Sequence, residues 1–411
     1  MALGIAARAP KFVQGKAVAL SGGHLAAHAM RQMNPDLVAA YPITPQTVLM
    51  ELFCQFVADG RVDTELLTVE SEHAAMSACI GAAAAGARVQ TASAGAGIAF
   101  MWEMLWCASG MRLPIVMHVV NRSLSAPLNI LGDHTDAMGC RDTGWIQLYA
   151  ENGQEAYDNA IQSVRIAEDP EVMLPVMQCQ DGFTISHAVQ RAELLPDDAV
   201  QAFVGAYEPA HSLLDVEHPV TFGSNDDRND FFSHKRQQWA ALERALEVIP
   251  RIGQEFGRMT GRPYGYFEGH YLEDAEIVLV LMGSVAGATR MVVEEMRAEG
   301  IKVGLLKVRC YRPFPAQALA EALSSAKVIG VVDRSTCFGG QGGPLFLDTC
   351  TALFQRGLSP AVVNYICGLG GRDVVPQQIK AVFQELLEVR QGKPVEKLMR
   401  YVDGPPPYDK S

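Results

Sequence analysis

The chain has 411 residues, 49% of them hydrophobic and 19% charged, with 46 acidic side chains against 34 basic ones and a formal net charge of -12. That length holds two or three domains with ample cores, and the apolar share excludes a mainly disordered chain. The acidic balance, with no basic run, argues against a nucleic-acid surface, and no apolar stretch approaches membrane-spanning length.

In chain order, the N-terminal MALGIAARAPKFVQGKAV lacks the apolar run and cleavage signature of a leader, so a cytoplasmic protein is expected. The first half then alternates short apolar runs with helical stretches. Strands are predicted at Lys16–Leu20, Leu37–Tyr41, Glu65–Val69, Val89–Ala92, Pro114–Val119 and Val172–Gln178. Helices are predicted near Pro45–Ala58, Ser71–Gly86, Gly97–Gly110 and Gln154–Ala167. This alternation gives an α/β fold class with a doubly wound parallel sheet.

From about Gln190 to Asp274 the alternation breaks into acidic and proline-bearing loops and a helical run Trp239–Phe256, which reads as a connecting arm reaching toward a partner chain. A second, smaller α/β unit follows. Its strands are expected at Ile277–Met282, Lys302–Lys307, Val328–Val332 and Ala361–Cys367, with helices at Val285–Glu299, Pro315–Leu323 and Gly343–Arg356. The expected division is 1–250, carrying the arm from about 190, and 260–411.

Glu72 is the most informative candidate. It lies where an apolar strand meets an alanine- and glycine-rich helix, at the sheet edge where α/β folds place their chemistry. Glu70 and His73 crowd the same junction; acids also favour a first helical turn, so the pattern alone does not choose between Glu70 and Glu72. Thr44, in YPITPQT, stands as the N-cap of the helix after Pro45 or as a hydroxyl that binds a substrate carboxylate. Arg122, after the strand PIVMHVV, fits a fork onto a carboxylate or a surface ion pair.

Other polar groups read more plainly. Asp133, His134, Asp136, Arg141 and Asp142 form a loop without repeating ligand spacing, expected to be ordered by hydrogen bonds, with the lining of a site as the alternative. His24 and His28 stand four apart but lack the Glu of a zinc helix. Gly95-Ala96-Gly97 opens a helix after a strand, yet Phe100 breaks the dinucleotide pattern, and FGGQGGP and CGLGGRD read as structural turns. The nine cysteines form no C-x-x-C pair, so no metal or cluster is expected in this chain, and reduced, mostly buried thiols are expected instead.

Taken in order, YPITPQT, VESEHAA, ASAGAG, NRSLSAPLNILGDHTD and RDTGWIQLYAENGQEA, followed by RCYRPFP and GLGGRDV, resemble the α-subunit of the 2-oxoacid:ferredoxin oxidoreductases, pyruvate:ferredoxin oxidoreductase in particular. The resemblance covers nearly the whole chain. It implies a thiamine diphosphate pyrimidine-binding domain followed by a transketolase C-terminal-like domain. Glu72 matches the Glu that bonds the aminopyrimidine ring nitrogen, Thr44 and Arg122 match the residues that hold the 2-oxoacid carboxylate, and Gly95 and Gly97 fall in the cofactor loop. The chain departs from the pattern at SGGHLAAHA, where relatives carry Gly-Asn-Glu, and at ASAGAG, where Ser-Gln-Gly is usual.

The chemistry agrees: a carboxyl on the ring nitrogen favours the imino tautomer, which accepts the thiazolium proton, and such a positioned acid or base supplies ~10²–10⁴-fold in rate. No Gly-Asp-Gly with a following Asn occurs to hold magnesium and the diphosphate. The resemblance assigns those, with a [4Fe–4S] cluster, to a β-subunit, and adds γ- and δ-type subunits, ferredoxin and coenzyme A. The expected reaction is the reversible conversion of pyruvate and CoA to acetyl-CoA and CO2, with electrons passing to ferredoxin. The alternatives are a branched-chain 2-oxoacid or 2-oxoglutarate as substrate, a non-catalytic scaffold subunit, and a nicotinamide dehydrogenase.

Overall fold

Largely apolar strands pair in parallel and are covered on both faces, and two mainly parallel sheets organise the chain. The computed structural model describes residues 12–402. The first sheet has seven strands in the order Cys310–Arg312, Ile146–Tyr149, Val176–Asp181, Val116–Asn121, Val89–Ser93, Leu37–Ala40 and Glu65–Thr68. All pairings are parallel except that of Cys310–Arg312 with Ile146–Tyr149. Its three central strands Val176–Asp181, Val116–Asn121 and Val89–Ser93 are buried at every residue.

The second sheet has six strands in the order Met399–Tyr401, Ala361–Ile366, Val328–Asp333, Ile277–Leu281, Val303–Val308 and Phe267–His270, of which the last runs antiparallel. One apolar cluster joins the two, running from Met76, Ile98 and Met117 to Val280, Leu306 and Val331. Each fully buried aliphatic side chain in it stabilises the fold by ~1.5–3 kcal/mol, so the two sheets share a core.

Several expectations need correction. The first strand, Lys16–Ser21, stays out of the parallel sheet and pairs antiparallel with Val189–Leu194 in a separate ribbon. Only Ser21 among its six residues is fully buried, which suits a half-covered ribbon and not an interior parallel strand. The strand expected at Val172–Gln178 runs Val176–Asp181, because Pro175 offers no N–H to the ladder. The helix expected at Gly97–Gly110 is two, Gly95–Phe100 and Trp102–Gly110.

The stretch read as an arm is more regular than expected. It contains the ribbon strand, the helix Asp197–Val204, a 33-residue helix Arg228–Thr260 and an edge strand of the second sheet. The helix Pro376–Arg390, whose Ile379, Val382, Phe383 and Leu386 recur at helical spacing, and the strands Ile146–Tyr149 and Cys310–Arg312 were not among the expected elements. Among the described residues no helix is long and apolar enough to cross a membrane. Most of the N-terminal segment 1–18 lies outside the described residues.

Candidate active site

Strand order brings the candidates together. Four neighbouring strands of the first sheet end at Asn121, Ser93, Ala40 and Thr68, and just beyond these carboxyl ends stand Arg122, Gly95, Thr44 and Glu72, around the point where the chain order reverses.

Glu72 is the first residue of the helix Glu72–Ala84. Ser71 is extended and its hydroxyl accepts from Ala74 N at 3.1 Å, which caps the helix without using the glutamate. Freed of that duty, the Glu72 side chain turns inward and is only 7% exposed, whereas Glu70 is exposed. It rests on Gly97: a Cβ built there would stand 2.6 Å from Glu72 Oε1 and 2.6 Å from Ser93 Oγ. Ser93 Oγ is itself buried without a hydrogen-bond partner. The carboxylate meets no donor among the described residues, so an acid and an orphaned hydroxyl share a cradle that only glycine leaves open.

Arg122 is 7% exposed. Its Nη1 donates to Thr44 O at 2.9 Å and its Nε to Asn129 O at 3.2 Å, which fixes the guanidinium plane. Gly95 has φ +48°, and a Cβ there would lie 2.9 Å from Arg122 Cδ, so this glycine serves both a left-handed turn and the passage of the arginine stem. Thr44 is exposed beside it. It is not the helix N-cap: the helix runs Thr47–Ala58 with Gln46 at the cap position. Gln46 Nε2 donates to Ala92 O at 3.2 Å, pinning this turn to the next strand.

The loop after Arg122 is held by hydrogen bonds and docks on the second sheet. Asn129 Nδ2 donates to Gly370 O at 3.1 Å, and Gly370 N donates to Asp133 Oδ2 at 3.0 Å. Asp181 lies 2.6 Å from His134 Nε2 and accepts from Arg334 Nη1 and Ser284 Oγ at 2.5 Å each. Burial alone would raise the Asp181 carboxyl, but the Arg334 guanidinium and the His134 ring hold it well below the usual range. Asn129, Ser93 and Gly370 gave no sign in the sequence; Asn129 and Gly370 meet partners far along the chain, and Ser93 Oγ has none.

Other candidates fall away from this centre. His28 packs edge-on against Phe56 at 5.1 Å, and burial, with Arg31 nearby, lowers it to about 4. Glu151, Glu155 and Glu268 cluster closely enough for a cation, but Lys307 Nζ sits among them, 2.8 Å from Glu151 and from Glu268. The thiols of Cys79, Cys140 and Cys310 are pushed by burial up to about 12, which leaves them inert.

Two family models match the chain. The pyruvate flavodoxin/ferredoxin oxidoreductase thiamine diphosphate-binding domain covers residues 28–253, and the pyruvate:ferredoxin oxidoreductase core domain II covers residues 275–379. The chain belongs to the pyruvate:ferredoxin oxidoreductase family. It is 50% identical over 370 residues to a pyruvate synthase subunit of Thermotoga maritima, covering 90% of this chain and 94% of that one. It is 43% identical over 371 residues to a ketoisovalerate oxidoreductase subunit of Pyrococcus abyssi, covering 90% and 93%. Its fold matches the 2-oxoglutarate:ferredoxin oxidoreductase of Magnetococcus marinus, with TM-score 0.72 at 18% identity, over 91% of this chain and 66% of that one.

The thiamine diphosphate-binding domain of this oxidoreductase family therefore contains the candidate residues. The Gly97 cradle, the unpartnered Ser93 hydroxyl and the donor-free Glu72 carboxylate fit a heterocycle that brings its own donor and acceptor atoms.

Proposed function

We propose that the chain is the pyrimidine-binding α-subunit of a pyruvate:ferredoxin oxidoreductase, with Glu72 as the acid that engages the aminopyrimidine ring. The observation that carries this is the buried Glu72 carboxylate, held open by Gly97 and left without a donor. Thiamine diphosphate supplies the nucleophilic carbon and the electron sink for loss of carbon dioxide. Glu72 keeps a proton shared with the ring nitrogen in a site of low dielectric, where such a charge-assisted bond is strong. Gly95 and Gly97 let the ring approach the main chain. Arg122, its plane set by Thr44 O and Asn129 O, and the Thr44 hydroxyl grip the 2-oxoacid carboxylate and keep the breaking bond aligned.

On this reading the diphosphate, its magnesium and a [4Fe–4S] cluster belong to a β-subunit. Further γ- and δ-type subunits pass electrons to ferredoxin and close over coenzyme A, in the cytoplasm. The division into a cofactor-binding unit ending near residue 250 and a second unit from about 260 is part of the same proposal. The experiment is Glu72→Gln in the assembled complex. Turnover of pyruvate falls by ~10²–10⁴-fold with assembly intact; a scaffold subunit would leave turnover whole. Rates on pyruvate, 2-oxoisovalerate and 2-oxoglutarate set the substrate, and pyruvate is the one expected to be preferred.

A further inference from the structure

Asp136 touches neither proposed ligand, yet it joins the two groups that do. It is 2% exposed and accepts four hydrogen bonds. Oδ2 takes Gly95 N at 2.9 Å and Arg122 N at 2.8 Å; Oδ1 takes Asn121 Nδ2 at 2.9 Å and Ala137 N at 2.7 Å. Four donors match the acceptor capacity of an ionised carboxylate. The two on Oδ2 come from the ends of neighbouring strands, one at the head of the glycine turn that cradles Glu72, the other at the arginine itself.

We propose that Asp136 is a positioning residue that locks the cofactor loop to the 2-oxoacid clamp, so that one carboxylate sets both geometries at once. The inference rests on the roles given above to Glu72 and Arg122. Burial pushes this carboxyl up to about 6, and no cation pairs with it among the described residues, so its charge is costly to hold here. An apolar side chain in its place would leave four donors unpaired, so the acid is tied to the two strand ends that supply most of them. The helix it stands on, Thr135–Gly139, is a single turn with little to stabilise. The main-chain ladder between these strands runs as far as Ser93 and Val119, and the carboxylate adds a shared anchor for the two turns just beyond it.

The test uses the assembled complex and the isosteric Asp136→Asn, which turns one acceptor oxygen into a donor facing N–H groups. Thiamine diphosphate affinity is read by equilibrium titration of the cofactor-depleted complex, and KM and kcat by pyruvate turnover. The dissociation constant for the cofactor and the KM for pyruvate are expected to rise together, each about tenfold or more. A merely structural role lowers the amount of competent complex and kcat but leaves both constants of the surviving enzyme unmoved. That result, or movement of only one constant, overturns the proposal. Should Asp136→Asn fail to assemble, Asn121→Ser withdraws one donor and keeps the carboxylate. It is expected to raise both constants about threefold, and unchanged constants overturn the proposal in that case. Glu72→Gln run beside them separates the two claims. If it keeps full turnover the parent reading fails; if it is inactive while Asp136→Asn is normal, only the locking role fails.

Discussion

Two acids sit at the carboxyl edges of the two sheets, each pressed against a glycine. Asp333 ends a strand of the second sheet, and a Cβ on Gly343 would stand 2.3 Å from its Cγ; Glu72 has the matching relation to Gly97 at 2.6 Å. Asp333 is closed off: it accepts Leu345 N at 2.8 Å, Phe346 N at 3.2 Å and Asn364 Nδ2 at 2.9 Å, so the helix behind it is capped from within the chain. Glu72 has none of this, because Ser71 caps its helix instead. The same local device, a glycine making room for a carboxylate at a helix start, finishes a fold in one sheet and leaves an acid ready for an outside donor in the other. A buried polar group is normally satisfied, so the exception marks the chemistry.

The contrast breaks first under alanine at the two glycines. Gly97→Ala drives a Cβ into Glu72 Oε1 and displaces the acid, and kcat/KM on pyruvate is expected to fall about 100-fold in an assembled complex. Gly343→Ala makes a still closer overlap with Asp333, but the expected cost is stability of ~1–3 kcal/mol, read as a lower thermal midpoint, with kcat/KM unchanged. Equal kinetic losses from both would erase the distinction.

A smaller effect is tied to pH. Burial pushes Asp333 from its ordinary 3.8 up to about 6, against the pull of its donors. The folded chain therefore holds this proton more tightly than the unfolded one. The stability it contributes is complete below about pH 3.8 and is lost as pH rises through about 6. Asp333→Asn removes that slope, so relative to the parent it gains ~1–3 kcal/mol between about pH 4 and pH 7. Thermal midpoints measured across this range check it, and a constant difference between the two proteins contradicts it.

How far the sequence reaches follows from range. Parallel strands such as Val116–Asn121 and Ile277–Leu281 are apolar runs between turns and read directly. Glu72 was legible as a strand-to-helix acid, but only the extended Ser71 cap separates it from Glu70, and cap geometry depends on backbone angles that composition does not encode. Thr44 looked like an N-cap because Pro45 follows it; the tertiary bond of Gln46 to Ala92 moves the helix start to Thr47. Asp136 stood in a loop of mixed charges and was indistinguishable from its neighbours, since the two partners on its Oδ2 are main-chain N–H groups 14 and 41 residues away. Cys310–Arg312 is a three-residue strand, too short for a period, and it crosses from the second unit to edge the first sheet.

The most direct test is a density map of the whole complex with thiamine diphosphate bound. A Glu72 carboxylate oxygen is expected about 2.6–3.2 Å from the pyrimidine ring nitrogen, between Gly97 and Ser93. A map in which that carboxylate faces bulk solvent, with the ring held elsewhere, contradicts the account.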